Sequence, residues 1–315
     1  MKKLSKKQIV SWAGTVLMVA SLAFLARRLF QSRADIDMTA LISGSVVAGL
    51  IMVAMLEGIG ILMASFNFRA LVNNVTGVLV TKPLAIVVYT LSNLYKYIPG
   101  GVMYVVGRNR LAVETEELSH PKVALSTVLE GIIIVIAAIV IVIVTVLDHA
   151  IEYMRQEVEL PTAFVVVLIA VLAAAGLVIF ALRRKIMNGL RKLFDHMQLL
   201  RLSVLIKRFG FGLLLMTLWG GTFLATLIVM GQDMAPGLAP TVIGLFLLAW
   251  LAGFLTPGAP SGLGVRELVM LMFMGGILNE GILLSAMFVH RIVAATGDVA
   301  AYGVAIGYSH LSKSQ

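Results

Sequence analysis

Eight ionisable side chains stand inside or beside long apolar stretches of this chain: Glu57, Lys96, Glu130, Arg266, Glu267, His290, Arg291 and Asp298. A charge carried into hydrocarbon costs about 2.5–3.5 kcal/mol on insertion scales, so each must be paired or used. Arg266 and Arg291 have the most readable chemistry. Arginine stays charged and presents a planar fork that matches phosphate oxygens. Arg266 follows a break, Pro257-Gly258-Ala259-Pro260-Ser261-Gly262-Leu263-Gly264. A helix restarting there points free N–H groups into the break, which is itself an anion site. Gly262 and Gly264 permit close backbone approach, and Ser261 is placed to cap the new helix. Lys96 and Arg108 flank an earlier break, Pro99-Gly100-Gly101, and fit an inner entrance to such a site. Glu57, Glu130, Glu267 and Asp298 would balance charge or bind protons. The plainer alternative is internal ion pairing, Arg291 with Glu267 for instance, that only fixes helix packing. Glu57 and Glu130 taken singly fit that alternative better; Arg266 and Arg291 fit phosphate binding better.

Other chemistries lack residues. Cysteine is absent, which removes disulfides, thiol chemistry and Cys-ligated zinc. His120, His149, His196 and His310 are scattered without metal-ligand spacing, and no Ser-His-Asp arrangement is readable. No cofactor is expected. Gly107-Arg108-Asn109-Arg110 is too short for a phosphate loop. The 17 methionines read as adaptable packing or lipid-facing filler.

The elements that must position these charges are membrane helices. Of 315 residues 60% are hydrophobic and only 13% charged, and the mean hydropathy is +0.99. A soluble enzyme, a disordered chain and a nucleic-acid-binding module are excluded as leading classes. The expected fold is all-α: a polytopic integral membrane bundle forming one transmembrane domain over residues 1–315. Six runs are long enough to span, near 9–28, 39–66, 122–147, 160–182, 209–231 and 282–307. Lys2, Lys3, Lys6 and Lys7 precede the first, which is too long for a signal-peptide core and reads as an uncleaved helix.

Charge sets the topology. The segment 183–208 holds eight basic residues and one acid, Asp195, and belongs on the cytoplasmic side; 148–159 is acidic and fits the outside. Both termini are then cytoplasmic. Parity leaves both ends of 83–107 inside and, if 282–307 runs inward, both ends of 240–278 outside, so each is a broken hairpin that either dips in and returns, as a re-entrant helix, or forms a tight helical hairpin. Arg27, Arg28 and Arg33 fall against this scheme unless they reach headgroups. Two broken hairpins from opposite faces are the pattern of an inverted repeat whose breaks meet near mid-depth; two unrelated kinked helices would leave the same trace. Arg266 and Arg291 would lie near mid-depth, with the acids and Lys96 toward the cytoplasm. Within 184–208, Ile186, Leu190, Leu193, Phe194, Met197 and Leu200 recur at helical spacing, an amphipathic helix suited to the lipid interface. Gly44 with Ala48, and Ser45 with Gly49, read as a close helix-packing stripe.

At the breaks the chain resembles a known family. Leu255-Thr256-Pro257 through Arg266-Glu267 resembles a signature of the lysylphosphatidylglycerol synthase transmembrane family. Tyr95-Lys96-Tyr97-Ile98-Pro99-Gly100-Gly101, followed by Gly107-Arg108, resembles its earlier signature, and Arg291-Ile292 followed by Gly297-Asp298 its last-helix pattern. The similarity covers nearly the whole chain. Ser261 stands where the family has a second glycine, and Phe68-Arg69 where an Arg-Trp pair is expected. The resemblance implies a multi-pass domain that moves an anionic or aminoacylated lipid between leaflets. In the multiple peptide resistance factor that domain is fused to a cytosolic synthase. Here the chain ends at Gln315, just past its last helix, so synthase activity is not expected.

Three functions follow as expectations. The first is a flippase-like transporter of a phosphate-bearing phospholipid or polyprenyl-linked lipid in the cytoplasmic membrane, not an enzyme. The second is a membrane-embedded enzyme acting on a lipid phosphate headgroup, with Glu267 or Asp298 as base or nucleophile. The third is a non-transporting scaffold for envelope synthesis. Expected partners are membrane lipids and envelope-lipid or glycan biosynthesis proteins, not nucleic acid.

Overall fold

The computed structural model describes residues 43–97, 103–114, 118–155, 202–256, 262–275 and 278–313, and all regular structure among them is helical. Four helices are long and apolar enough to cross a membrane: α1 (Gly44–Thr76), α5 (His120–Arg155), α6 (Leu202–Val229) and α9 (Glu280–Lys313). They correspond to four of the six expected spans. The runs near 9–28 and 160–182, and most of the amphipathic segment 184–208, lie outside the described residues.

Each long helix overruns its expected bounds. α1 has 33 residues, about 50 Å at 1.5 Å per residue. The hydrocarbon layer is about 30 Å thick. Helical hydrogen bonds need no apolar side chain, so a helix continues past the lipid boundary until a stop signal. In α1 that signal is Gly77 at φ +77°, whose N–H bonds Asn73 O. Two expected boundaries shift for this reason. α5 continues through Asp148 and Glu152, which were expected in the outer loop, and α6 begins at Leu202, inside the expected cytoplasmic segment.

The two broken stretches fold as short helices. The first comprises α2 (Lys82–Leu94), a 3-10 turn at Tyr95–Tyr97, and then α3 (Met103–Arg108) and α4 (Arg110–Glu114). α2 packs against α3. At 13 residues α2 is about 20 Å long, too short to span. The second pair is α7 (Ala239–Leu255) against α8 (Val265–Met274).

Around these hairpins α9 packs on α1 and α2, and α1 on α2. The inward stripe of α1 (Ala54, Glu57, Gly58, Ile61, Ala64, Phe68) follows helical periodicity, so Glu57 is carried inward with its apolar neighbours. Its outer side is also apolar: Ile51, Met52, Met55 and Ile59 are exposed, as lipid-facing residues should be. The expected small-residue stripe is corrected. Gly44, Ser45 and Ala48 are exposed, and only Gly49 meets a neighbour, Val229 of α6. The close crossing is between Gly58 of α1 and Gly297 of α9. A Cβ at Gly297 would lie 2.6 Å from Ala54 O.

Contact clustering separates residues 147–207 from the rest of the chain. Their described part is the C-terminal end of α5 and the first residues of α6.

Candidate functional site

Three of the four interior acids hold a fixed cation. Glu130 (α5) pairs with Arg108 (α3), and Tyr89 Oη of α2 donates to Glu130 Oε1 at 3.1 Å. The guanidinium of Arg108 lies over the ring of Tyr89 at 4.1 Å and also over Phe68 and Tyr104. This overturns the expectation that Arg108 serves an entrance. It is buried and enclosed by aromatic faces, an arrangement that locks α3 to α2 and α5.

Asp298 (α9) closes the first break. Its Oδ1 accepts Asn93 Nδ2 at 2.7 Å, and its Oδ2 accepts Tyr97 Oη at 2.6 Å and Lys96 Nζ at 2.7 Å. Lys96, expected at an entrance, is thus tied to α9, although a third of its side chain stays exposed.

Glu267 (α8) closes the second break. Its Oε2 accepts the Gly264 N–H at 2.8 Å, and its Oε1 accepts Arg291 Nε at 2.6 Å, with Nη2 at 2.5 Å. Two expectations change here. One N–H of the helix start is closed to an anion, because the chain's own carboxylate sits on the Gly264 N–H. The residue preceding the helix is Gly264, at φ +85°, where only glycine is unstrained. Ser261, expected as the cap, lies outside the described residues. Gly262, at φ +69°, does provide the expected close approach. A Cβ there would lie 2.8 Å from Gly253 Cα of α7 and 2.9 Å from Arg266 Nε.

Arg266 is different. Its stem lies across this Gly253–Gly262 contact, and its Nε is enclosed without a hydrogen-bond partner. Among the described residues it has no ion-pair partner either. Glu57, Tyr97, Glu267 and Arg291 all act on it through space. Glu57 is the acid without a fixed cation. Thr222 Oγ1 of α6 donates to its Oε1 at 2.5 Å, and His290 Nε2 of α9 stands 3.7 Å from the same oxygen.

The folded chain therefore brings Glu57, Lys96, Arg266, Glu267, Arg291 and Asp298 into one electrostatic neighbourhood, while Arg108 and Glu130 form a separate pair. Asn93, Tyr97, Thr222, Thr226 and Tyr89 join these networks without having been singled out in the sequence. Thr222 and Thr226 carry the one usable signal: two hydroxyls four residues apart, which share one face of a helix. A separate groove lined by Val140, Ile141, Val144, Thr145, Thr217, Pro240 and Ile243 carries no ionisable side chain.

The fold and site define a class, a helical membrane chain that holds a small set of paired charges in its interior. No family model matches the chain, and no curated protein matches it.

Proposed function

We propose that the protein is a flippase-like transporter of a phosphate-bearing lipid in the cytoplasmic membrane, and a stand-alone member of the lysylphosphatidylglycerol synthase transmembrane family that it resembles. Arg266 carries the proposal. A half-buried guanidinium at a helix break, its Nε enclosed without a hydrogen-bond partner and with no ion-pair partner among the described residues, is poised for an incoming anion, because a charge without a direct partner in a low-dielectric interior is costly until one arrives. Arg291 lies beside it and retains exposed surface. The phosphate enters this polar interior while the acyl or prenyl tails stay in lipid. The two hairpins would then form an inverted repeat, with both termini cytoplasmic.

The enzyme alternative has weaker support. Glu267 and Asp298, its base or nucleophile, have every carboxylate oxygen hydrogen-bonded. The scaffold alternative has one observation in its favour: the closed pairs Lys96–Asp298, Arg108–Glu130 and Arg291–Glu267.

Transport by the reconstituted chain separates these readings. Vesicles of phosphatidylcholine with a trace of fluorescent phosphatidylglycerol report leaflet exchange through quenching of the outer leaflet. Wild-type protein is expected to speed exchange over protein-free vesicles. Arg266→Ala is expected to return the rate to the protein-free level, and Arg291→Ala to lower it. Wild-type exchange no faster than in protein-free vesicles supports the scaffold.

A further inference from the structure

Glu57 and His290 are the interior titratable residues that the proposed transport site leaves without a role. They meet across α1 and α9 (Glu57 Oε1 to His290 Nε2, 3.7 Å). The protons around them can be counted. Thr226 Oγ1 carries one, and it lies 2.8 Å from Thr222 O, a carbonyl that only accepts. Toward His290 Nδ1, at 3.0 Å, Thr226 therefore presents lone pairs. Nδ1 holds the ring proton, and in the neutral ring Nε2 turns its lone pair toward Glu57, a tautomer assigned from the hydrogen-bond network. Thr222 supplies its single proton to Glu57 Oε1 at 2.5 Å and to Trp219 O at 2.7 Å. Two lone-pair-bearing atoms then face each other in a buried space, 3.7 Å apart and beyond hydrogen-bond reach, and one added proton, on the carboxyl or on Nε2, would join them. Phe223 and Phe246 present edges to the imidazole at 5.4 and 5.1 Å, which fixes the ring and excludes water.

Among the described residues, charges from three elements face this pair. Lys96 from the 3-10 turn, Asp298 from α9 and Arg266 from α8 act on Glu57; Arg266 and Arg291 act on His290. α6 contributes hydroxyls and α7 an aromatic ring. Since Lys96 is held by Asp298 and Arg291 by Glu267, the charge left to balance Glu57 is that of Arg266.

We infer that Glu57 and His290 form a one-proton site linked to anion binding at Arg266, so that the lipid moves together with a proton. With the site empty, the Glu57 carboxylate balances Arg266. When a phosphate monoanion arrives, a proton from water adds to Glu57 or to His290 Nε2. Net charge is zero before and after, whereas loading without the proton would leave an excess negative charge inside the membrane. Release reverses both steps. Because anion and proton favour one another's binding, they travel in the same direction.

This rests on the lipid reading of Arg266, and the test keeps the two apart. The full chain in detergent, weakly buffered at neutral pH with an indicator dye, is mixed with micelles of phosphatidylglycerol or phosphatidylcholine. Lipid binding is followed separately by co-purification. Wild-type protein is expected to take up about one proton per bound phosphatidylglycerol and none with phosphatidylcholine. Glu57→Gln is expected to bind the lipid with no uptake. Infrared difference spectra, acid minus alkaline, are expected to show a buried carboxylic-acid carbonyl band that Glu57→Gln removes. Phosphatidylglycerol bound with no proton uptake, or uptake that persists in Glu57→Gln, overturns the coupling and leaves the lipid reading standing. No preference for phosphatidylglycerol overturns the lipid reading. In that case loss of the carbonyl band in Glu57→Gln still supports the proton site, and its persistence overturns it.

Discussion

Arg108 and Glu130 illustrate what a single residue contributes here. Neither can be removed alone without leaving a buried charge unpaired, a cost of about 3–5 kcal/mol. Arg108→Met and Glu130→Leu are each expected to lower thermal stability in detergent markedly. The double variant should lose less than the sum of the two, because it removes both charges at once. Full additivity would mean that the pair is not coupled. At this scale the sequence was informative about which charges matter and uninformative about their partners. Any acid or base in an apolar run is conspicuous because lipid penalises it. Pairing depends on approach in space: Arg108 and Glu130 are 22 residues apart, whereas Tyr97 and Asp298 are 201 apart. Arg108 was misplaced for this reason. A basic residue after a break looks like an entrance until its aromatic surroundings are known. Thr222, Tyr89 and Asn93 escaped notice because a hydroxyl or amide in a membrane helix satisfies itself cheaply and leaves no anomaly.

At the scale of elements, the crossing of α1 and α9 brings Glu57 to His290, and it exists because Gly58 and Gly297 carry no side chains. A Cβ at Gly297 would press on the backbone of α1, which cannot move aside as a flexible side chain would. Gly297→Ala is therefore expected to cost about 1–3 kcal/mol by forcing the helices apart. Gly303→Ala, at a glycine with nothing within 4 Å, is expected to be neutral or slightly stabilising. Equal melting temperatures for both variants would contradict the crossing. Four long helices were legible from apolar length and so were the two breaks, since Pro and Gly interrupt apolar runs visibly. Helix ends were less legible, because hydropathy marks where lipid stops and not where helical hydrogen bonding stops. The small-residue stripe at Gly44 and Ala48 was misleading. Spacing shows that a face is flat, but not that another helix lies on it.

At the scale of the whole molecule, charge asymmetry makes a prediction about sidedness. The natural chain lacks cysteine, so single cysteines at Asp233 and Ser312, both exposed, can be labelled without background. An impermeant thiol reagent on intact cells is expected to modify Asp233→Cys and to reach Ser312→Cys only after permeabilisation. Labelling both from one side would refute the proposed topology. The sequence by itself determined the class, the breaks and the set of charges that need a reason, because exclusion of charge and of unpaired backbone groups from lipid acts on each segment separately. Only the tertiary structure decided that Glu130, Glu267 and Asp298 are closed by Arg108, Arg291 and Lys96. The same packing leaves Arg266 without an ion-pair partner among the described residues and sets Glu57 against His290. Those outcomes depend on which helices touch and how closely, and electrostatic energy inside a membrane is governed by distances of a few ångströms between residues far apart in the chain.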